Sequence, residues 1–232
     1  ELNEKQQLQI ISVKQKEPLI NKTVIESKLS ALKFPLHFID YETYASAVPR
    51  INGVKPHQHI PFQVSIHTMQ SNGSIEHFEF LAESFEIPNK LVDFMKHSTG
   101  TTGTFISWHA SFEVSRNKDM MSMVSGSESY LDYMNTHMFD LEDVFKEDYV
   151  DYRFHGSTSI KNVLPVLLPE LSYKNLEVQN GTMALDTWGR MVLDPNFGED
   201  KNETRKNLLS YCELDTWAMV EMYRNLLKVI KS

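Results

Sequence analysis

The sequence predicts an α/β domain in which a mixed β-sheet is flanked by helices. Three observations predict it. Two alternating segments surround an Asn-Gly turn, a short apolar strand follows a helical segment further on, and the chain closes on a long amphipathic helix. Taken in order, residues 1–33 are polar and mixed in charge. They predict one or two short helices and read as an extension or linker from a longer chain, with the domain proper over 34–232. Pro35–Tyr41 (PLHFIDY) is short, apolar and aromatic, as a buried strand is. Residues 44–59 are loop-like. Phe62–Met69 alternates, Ser71-Asn72-Gly73-Ser74 turns, and Ile75–Leu81 alternates again, which makes a hairpin. Pro88–His97 has helical spacing, Thr104–Trp108 is a second buried strand, and a helix starts near Ser111. Residues 127–149, 157–168 and 181–192 read as helical, and 202–230 as the long terminal helix.

The chain has 232 residues, 41% hydrophobic and 23% charged, which fits a folded globular protein. Its single cysteine, Cys212, excludes an internal disulfide and a cysteine-rich zinc module. No apolar run is long enough to span a bilayer, and the N-terminus lacks a signal-peptide core, so no membrane contact and a cytoplasmic location are expected. The net charge of −8 argues against a module that grips long stretches of duplex phosphate. It leaves room for an enzyme that meets phosphate through divalent cations, because such a site must itself be acidic. No G-x-S-x-G elbow, P-loop or G-x-G-x-x-G is present.

Three carboxylate motifs stand out. Residues two apart on a strand face the same way, so Leu36, Phe38, Asp40 and Glu42 share a face if the first strand runs that far. Two carboxylates on one face repel each other, burial adds a desolvation cost, and a divalent cation relieves both. Acids are common enough here that an acid-x-acid triplet also arises by chance, and a second one stands at Asp140-Leu141-Glu142. On the terminal helix, Leu208, Tyr211, Asp215, Ala218, Met222, Leu226 and Val229 step by three or four. Asp215 is the one charged member of that stripe and needs a partner, with Tyr211 one turn before it. A buried Asp bonded to backbone or to an Arg is the plainer explanation. Third, Trp108-His109-Ala110-Ser111-Phe112-Glu113 passes from strand to helix and puts Glu113 in the first helical turn. Acids are favoured there without any function. Nine histidines are present; His57 and His59 are the closest pair, but no third ligand is in register, so the histidines read as surface or core groups.

Together DYET (Asp40, Glu42), HASFE (His109 to Glu113) and YCELD (Tyr211 to Asp215) resemble the motif set of the DEDD superfamily of 3′→5′ exonucleases, in its tyrosine-bearing DEDDy branch. The chain is also similar to an uncharacterised bacterial domain family within it. That likeness rests on DYET, Gly53–His67 (GVKPHQHIPFQVSIH), FDLEDVF, GSTSIKNVLP and YCELDTWAM, and covers roughly residues 34–230. The resemblance implies an RNase H-like mixed sheet of the DEDD exonuclease type, and two Mg²⁺ or Mn²⁺ ions held by Asp40, Glu42, Glu113 and Asp215. It also implies a Tyr211 that orients the attacking water, and a single-stranded DNA or RNA 3′ end as partner, alongside other domains of the parent chain. This sequence departs from the wider pattern in having Glu113 in place of Asp and His109 in place of Asn. Thr43, Tyr44, His109 and Lys161 are the expected substrate contacts, with Arg50 and Lys55 as further phosphate contacts and Asp140 as a substitute ligand. Phe62 reads as packing before it reads as a base platform. The rival expectation is a module that keeps the fold for nucleic-acid binding or scaffolding but has weakened catalysis.

Overall fold

The computed structural model describes residues 2–232. Asn3 caps the first helix, α1 (Glu4–Gln15), in a capping box with Gln6. Then come β1 (Leu19–Ile20) and α2 (Lys22–Ser30), the latter capped by Asn21. The expected first strand is β2 (Leu36–Tyr44), and it runs on through Glu42. The expected hairpin is β3 (Ile60–Met69) with β4 (Ile75–Leu81). Helix α3 (Asn89–Thr99), β5 (Thr104–Ser107) and α4 (Ser111–Met123) follow.

Residues 127–149 depart from the helical reading. They form α5 (Glu128–Thr136), β6 (Met138–Asp140), α6 (Leu141–Glu147) and β7 (Tyr149–Val150). A three-residue strand is too short to show alternation, and β6 exists because its backbone finds partners along β5. The chain ends with α7 (Ile160–Leu167), α8 (Gly181–Leu193) and the long α9 (Lys201–Lys231).

The main sheet has the order β4-β3-β2-β5-β6. β2, β3 and β4 pair antiparallel, whereas β5 runs parallel to β2 and β6 parallel to β5. β1 and β7 form a separate antiparallel pair. The result is the expected mixed α/β sheet with helices on both faces. Leu36 and Phe38 point into a core made with α2, α6, α7, α8 and α9, where Ile25 and Leu29 of α2 are also buried. The expected domain boundary at residue 33 thus falls between α2 and β2, with α2 packed on α9. Ile39 and Tyr41 point the other way, onto Leu91, Val92 and Met95 of α3, Met120 of α4 and Tyr130 and Leu131 of α5.

Two local features set the geometry of β2. Gly103 has φ +76°, and a Cβ there would lie 2.0 Å from the Pro35 carbonyl oxygen. Only glycine lets the chain enter β5 this close to the start of β2. The second feature is a bulge in the β2–β3 ladder, where the register shifts between Glu42 and Thr43. Before the bulge Val64 and Ile66 share one side of the sheet; at the bulge Phe62 turns to the other and stacks on Trp188, with ring centroids 4.3 Å apart.

Phe62 is fully buried there, so it packs and offers no surface to a base. The Trp188 indole also donates to the Ala82 carbonyl at 2.9 Å and tilts against Tyr44 and Phe85, which ties α8 to the hairpin. Trp188→Ala is expected to cost about 3–5 kcal/mol in denaturant unfolding, as loss of a buried aromatic does; a change under about 1 kcal/mol would show that α8 docks by other contacts.

Candidate metal centre

Sheet topology decides where carboxylates can stand. β5 pairs with β2 at Leu36, His37 and Phe38 only. Beyond Phe38 the β5 flank of β2 is open, because the chain turns from Ser107 into α4. Asp40 and Glu42 follow at this open end, on the face covered by α9, and α9 brings Asp215 across to them on its buried stripe. One carboxylate oxygen from each of Asp40, Glu42 and Asp215 lies within 4.8 Å of the other two. Glu42 and Asp215 are buried and Asp40 is half-buried at the lip.

Three acids so close together resist ionisation. Burial, then Asp215, Glu42 and Glu113, push the Asp40 carboxyl well above its usual range. Burial and then Asp215 push Glu42 up to about 8, against the pull of Lys161. Asp215 rises to about 6 through burial, held lower than Glu42 by Tyr173, Lys161 and Tyr211. Glu113 is also buried, and burial pushes it up to about 8. It contributes to the field on Asp40 and Glu42 but stands outside the close group of three. Its Oε2 has no hydrogen-bond partner. A buried, unpartnered carboxylate oxygen beside an all-oxygen group is the donor set a hard divalent cation fits.

Tyr211 is buried beside the group, and burial followed by Asp215 and Glu42 raises its phenol pKa, so it remains a protonated donor. Lys161 sits with its ammonium 5.4 Å from the Tyr173 ring centre and 5.6 Å from that of Tyr211, and it donates to the Gln179 carbonyl at 2.7 Å. Three further groups complete the surroundings. Tyr173 donates its hydroxyl to Asp215 Oδ1 at 2.5 Å. The Cys212 thiol lies 3.5 Å from Asp40 Oδ2. Gly181, the first residue of α8, comes close enough that a Cβ there would be 3.4 Å from Glu42 Oε2.

Sequence reasoning missed all three. Tyr173 and Gly181 sit in segments with no pattern that points toward β2. Cys212 adjoins Tyr211 in the YCELD motif, and that adjacency was the one available signal.

The other expected contacts are placed as follows. Thr43 is buried, its hydroxyl 2.8 Å from His59 Nδ1. Tyr44 is half-buried, edge-on to Phe85, and with Arg50 and Arg190 it lines a groove along α8. Lys55 is exposed. His109 adopts φ +67° and turns its ring to Glu142, with Nδ1 to Oε2 at 3.1 Å. Asp140 is no substitute ligand: its oxygens accept from the backbone N–H groups of His109, Ala110 and Glu142, each at 3.0 Å. It fixes the corner where β5 turns into α4 and caps α6.

A folded α/β domain with a buried carboxylate group at the open end of its central strand is the class these observations define. The chain belongs to the family described as Domain of unknown function (DUF2779), whose model matches residues 37–159. The matched span holds Asp40, Glu42 and Glu113 and ends before Tyr211 and Asp215. The chain is similar to the Uncharacterized protein MG366 of Mycoplasma genitalium, 24% identical over 215 residues that cover 84% of this chain and 32% of the relative. It is also similar to the MG366 homolog of Mycoplasma pneumoniae, 26% identical over 203 residues that cover 79% of this chain and 31% of the relative. It therefore spans about a third of the length of these curated relatives. No solved structure matches. Among the described residues no helix is long and apolar enough to cross a membrane.

The raised carboxyls have a consequence for stability. Where the folded pKa lies above the unfolded one, the native state keeps protons that the unfolded chain has released. Stability is then full below the unfolded carboxylate range and falls as pH rises through the folded values, about 6 for Asp215 and about 8 for Glu42 and Glu113. In chelator-treated protein, Tm is expected to fall between about pH 5 and pH 9. Asp40→Asn should raise Tm at the upper end by about 2–4 °C and leave the lower end unchanged. A variant with the wild-type profile in a pH-dependent calorimetric scan would refute the repulsion account.

Proposed function

We propose that the protein is a metal-dependent 3′→5′ exonuclease that hydrolyses phosphodiester bonds at single-stranded DNA or RNA ends. The observation that carries this reading is the approach of Asp40, Glu42 and Asp215 within 4.8 Å, beside Tyr211, at the open end of the central strand. The raised pKa values of Asp40, Glu42 and Asp215 mean that the group resists full ionisation, a cost that a bound cation would relieve. The mixed sheet flanked by helices and the order of the three motifs along the chain support the same reading, as the DEDDy resemblance implies.

In this proposal Asp40, Glu42 and Asp215 hold Mg²⁺ or Mn²⁺ through oxygen alone, and Glu113, with its unpartnered Oε2, serves the second ion. When bound, such a pair of ions activates a water and stabilises charge on the leaving oxygen. Tyr211 stays protonated at neutral pH and orients the attacking water as a hydrogen-bond donor; its raised pKa unfits it for the role of base. Tyr173 fixes the rotamer of Asp215, and Lys161 offsets part of the negative charge. In this proposal Tyr44 and Arg50, which line the groove along α8, would follow the strand away from its end. Other domains of a longer parent chain would supply further contacts.

Glu113 favours the rival reading, a nucleic-acid-binding or scaffold module with weakened catalysis, because it lies outside the close group. The two separate in one assay. A 5′-labelled single-stranded oligonucleotide with Mn²⁺ is expected to yield a ladder shortened from its 3′ end. Asp40→Ala and Asp215→Ala should each lower the rate by at least about a hundredfold, and Tyr211→Phe by roughly a hundredfold. Equal degradation by wild type and both Asp variants would mark a contaminant. Metal-dependent binding without cleavage would favour the rival.

A further inference from the structure

We propose that His67, His77 and Glu213 form a second cation site, separate from the carboxylate group, that takes a transition metal of the Zn²⁺ type through two imidazole nitrogens and one carboxylate. The hairpin builds the first half of it. His67 on β3 and His77 on β4 are direct cross-strand partners, and their rings stack with centroids 4.3 Å apart. α9 crosses the same face and adds Glu213. One ring nitrogen from each histidine and one Glu213 oxygen lie within 4.8 Å of one another.

The second observation is the hydrogen-bond network behind the rings. His67 Nδ1 lies 2.8 Å from Thr216 Oγ1, and His77 Nε2 lies 2.9 Å from Ser65 Oγ. Ser65 Oγ and Thr216 Oγ1 are 2.7 Å apart, and the Thr216 hydroxyl donates back to the Glu213 carbonyl at 3.1 Å. Each ring is thus held through one nitrogen, His67 by Nδ1 and His77 by Nε2, and His67 Nε2 and His77 Nδ1 are the nitrogens not engaged by the hydroxyls. Holding a histidine ring through its second nitrogen is what outer partners do in metal sites. Ser65 and Thr216 are buried, so water does not compete for these bonds.

Among the described residues no Lys or Arg pairs with Glu213, and its carboxylate stands 3.8 Å from His77 Nδ1. His67 is 4% exposed and forms the inner side of the group. His77 and Glu213 are more open, with side chains 23% and 49% exposed, which gives a metal a way in and leaves a coordination position for water. Two imidazoles and a carboxylate suit Zn²⁺ and its neighbours in the first transition row, whereas the oxygen-only group around Asp40 suits Mg²⁺ or Mn²⁺. Glu213 lies between Tyr211 and Asp215 on α9. A metal clamping it to the hairpin would therefore fix the helix that presents Asp215.

The test uses the metal-free 232-residue chain titrated with Co²⁺ and Zn²⁺, followed by visible absorption and by calorimetry. The expected result is saturable Co²⁺ binding with ligand-field bands that Zn²⁺ displaces. His77→Gln and Glu213→Gln should each weaken it at least about tenfold, and Thr216→Val by about 10–100-fold through the lost positioning of His67. The double variant Asp40→Asn/Asp215→Asn should retain both the bands and the affinity. That outcome holds whether or not the chain proves to be a nuclease. Circular dichroism melts confirm that each variant is folded. Absence of saturable binding, binding indifferent to His77→Gln and Glu213→Gln, or binding lost in the Asp double variant would overturn the proposal.

Discussion

Like charges held out of water organise this protein. Asp40, Glu42 and Asp215 come together where lost hydration, joined at Asp40 and Glu42 by repulsion from the neighbouring acids, raises the pKa of each carboxyl. Such an arrangement persists only if the surrounding fold supplies more stabilisation than the cluster costs. Here two apolar cores do so, one on each face of the sheet, with Phe38 and Ile39 next to the acids and pointing into opposite cores. The strand carrying Asp40 cannot slip by one residue, because a slip would exchange Phe38 and Asp40 for Ile39 and Tyr41 and break both cores at once.

The same residue type plays opposite parts a short distance away. Asp140 sits in an acid-x-acid triplet as Asp40 does, yet three backbone N–H groups meet its oxygens, and it is consumed by the corner it holds. Asp40 receives only the weak Cys212 thiol, Glu42 abuts the bare start of α8 at Gly181, and Glu113 keeps an oxygen with no partner. What separates Asp140 from these carboxylates is the supply of donors, not the motif. The terminal helix has a comparable double character. Tyr211 and Asp215 look toward β2, while Glu213 and Thr216 meet the histidines of the β3–β4 hairpin. Whatever fixes this helix along its axis therefore bears on both groups.

Much of this was legible in one dimension. The Asn-Gly turn between two alternating runs specifies a hairpin, since few residue pairs satisfy its positive φ. The period of two puts Asp40 and Glu42 on one face, and the period of 3.6 isolates Asp215 as the charge in an apolar stripe. These signals are local and repeat, so they survive without knowledge of any partner. β6 was not legible, since three residues carry no period and acquire strand character only by lying against β5. Nor was the bulge that turns Phe62 onto Trp188, which depends on a mismatch between two strands and not on either alone.

The sequence by itself determined the α/β class, the hairpin, the carboxylate face of the first main strand and the stripe of the terminal helix. Each follows from the spacing of side chains along a single element. Tertiary structure alone decided that Glu113 stands apart from the other three acids, that Tyr173 reaches Asp215, that Asp140 is spent on backbone amides, and that His67 and His77 face each other beside Glu213. Those are meetings between elements distant in the chain. They are set by strand register and by how a helix seats on a sheet, and no spacing along one segment encodes either.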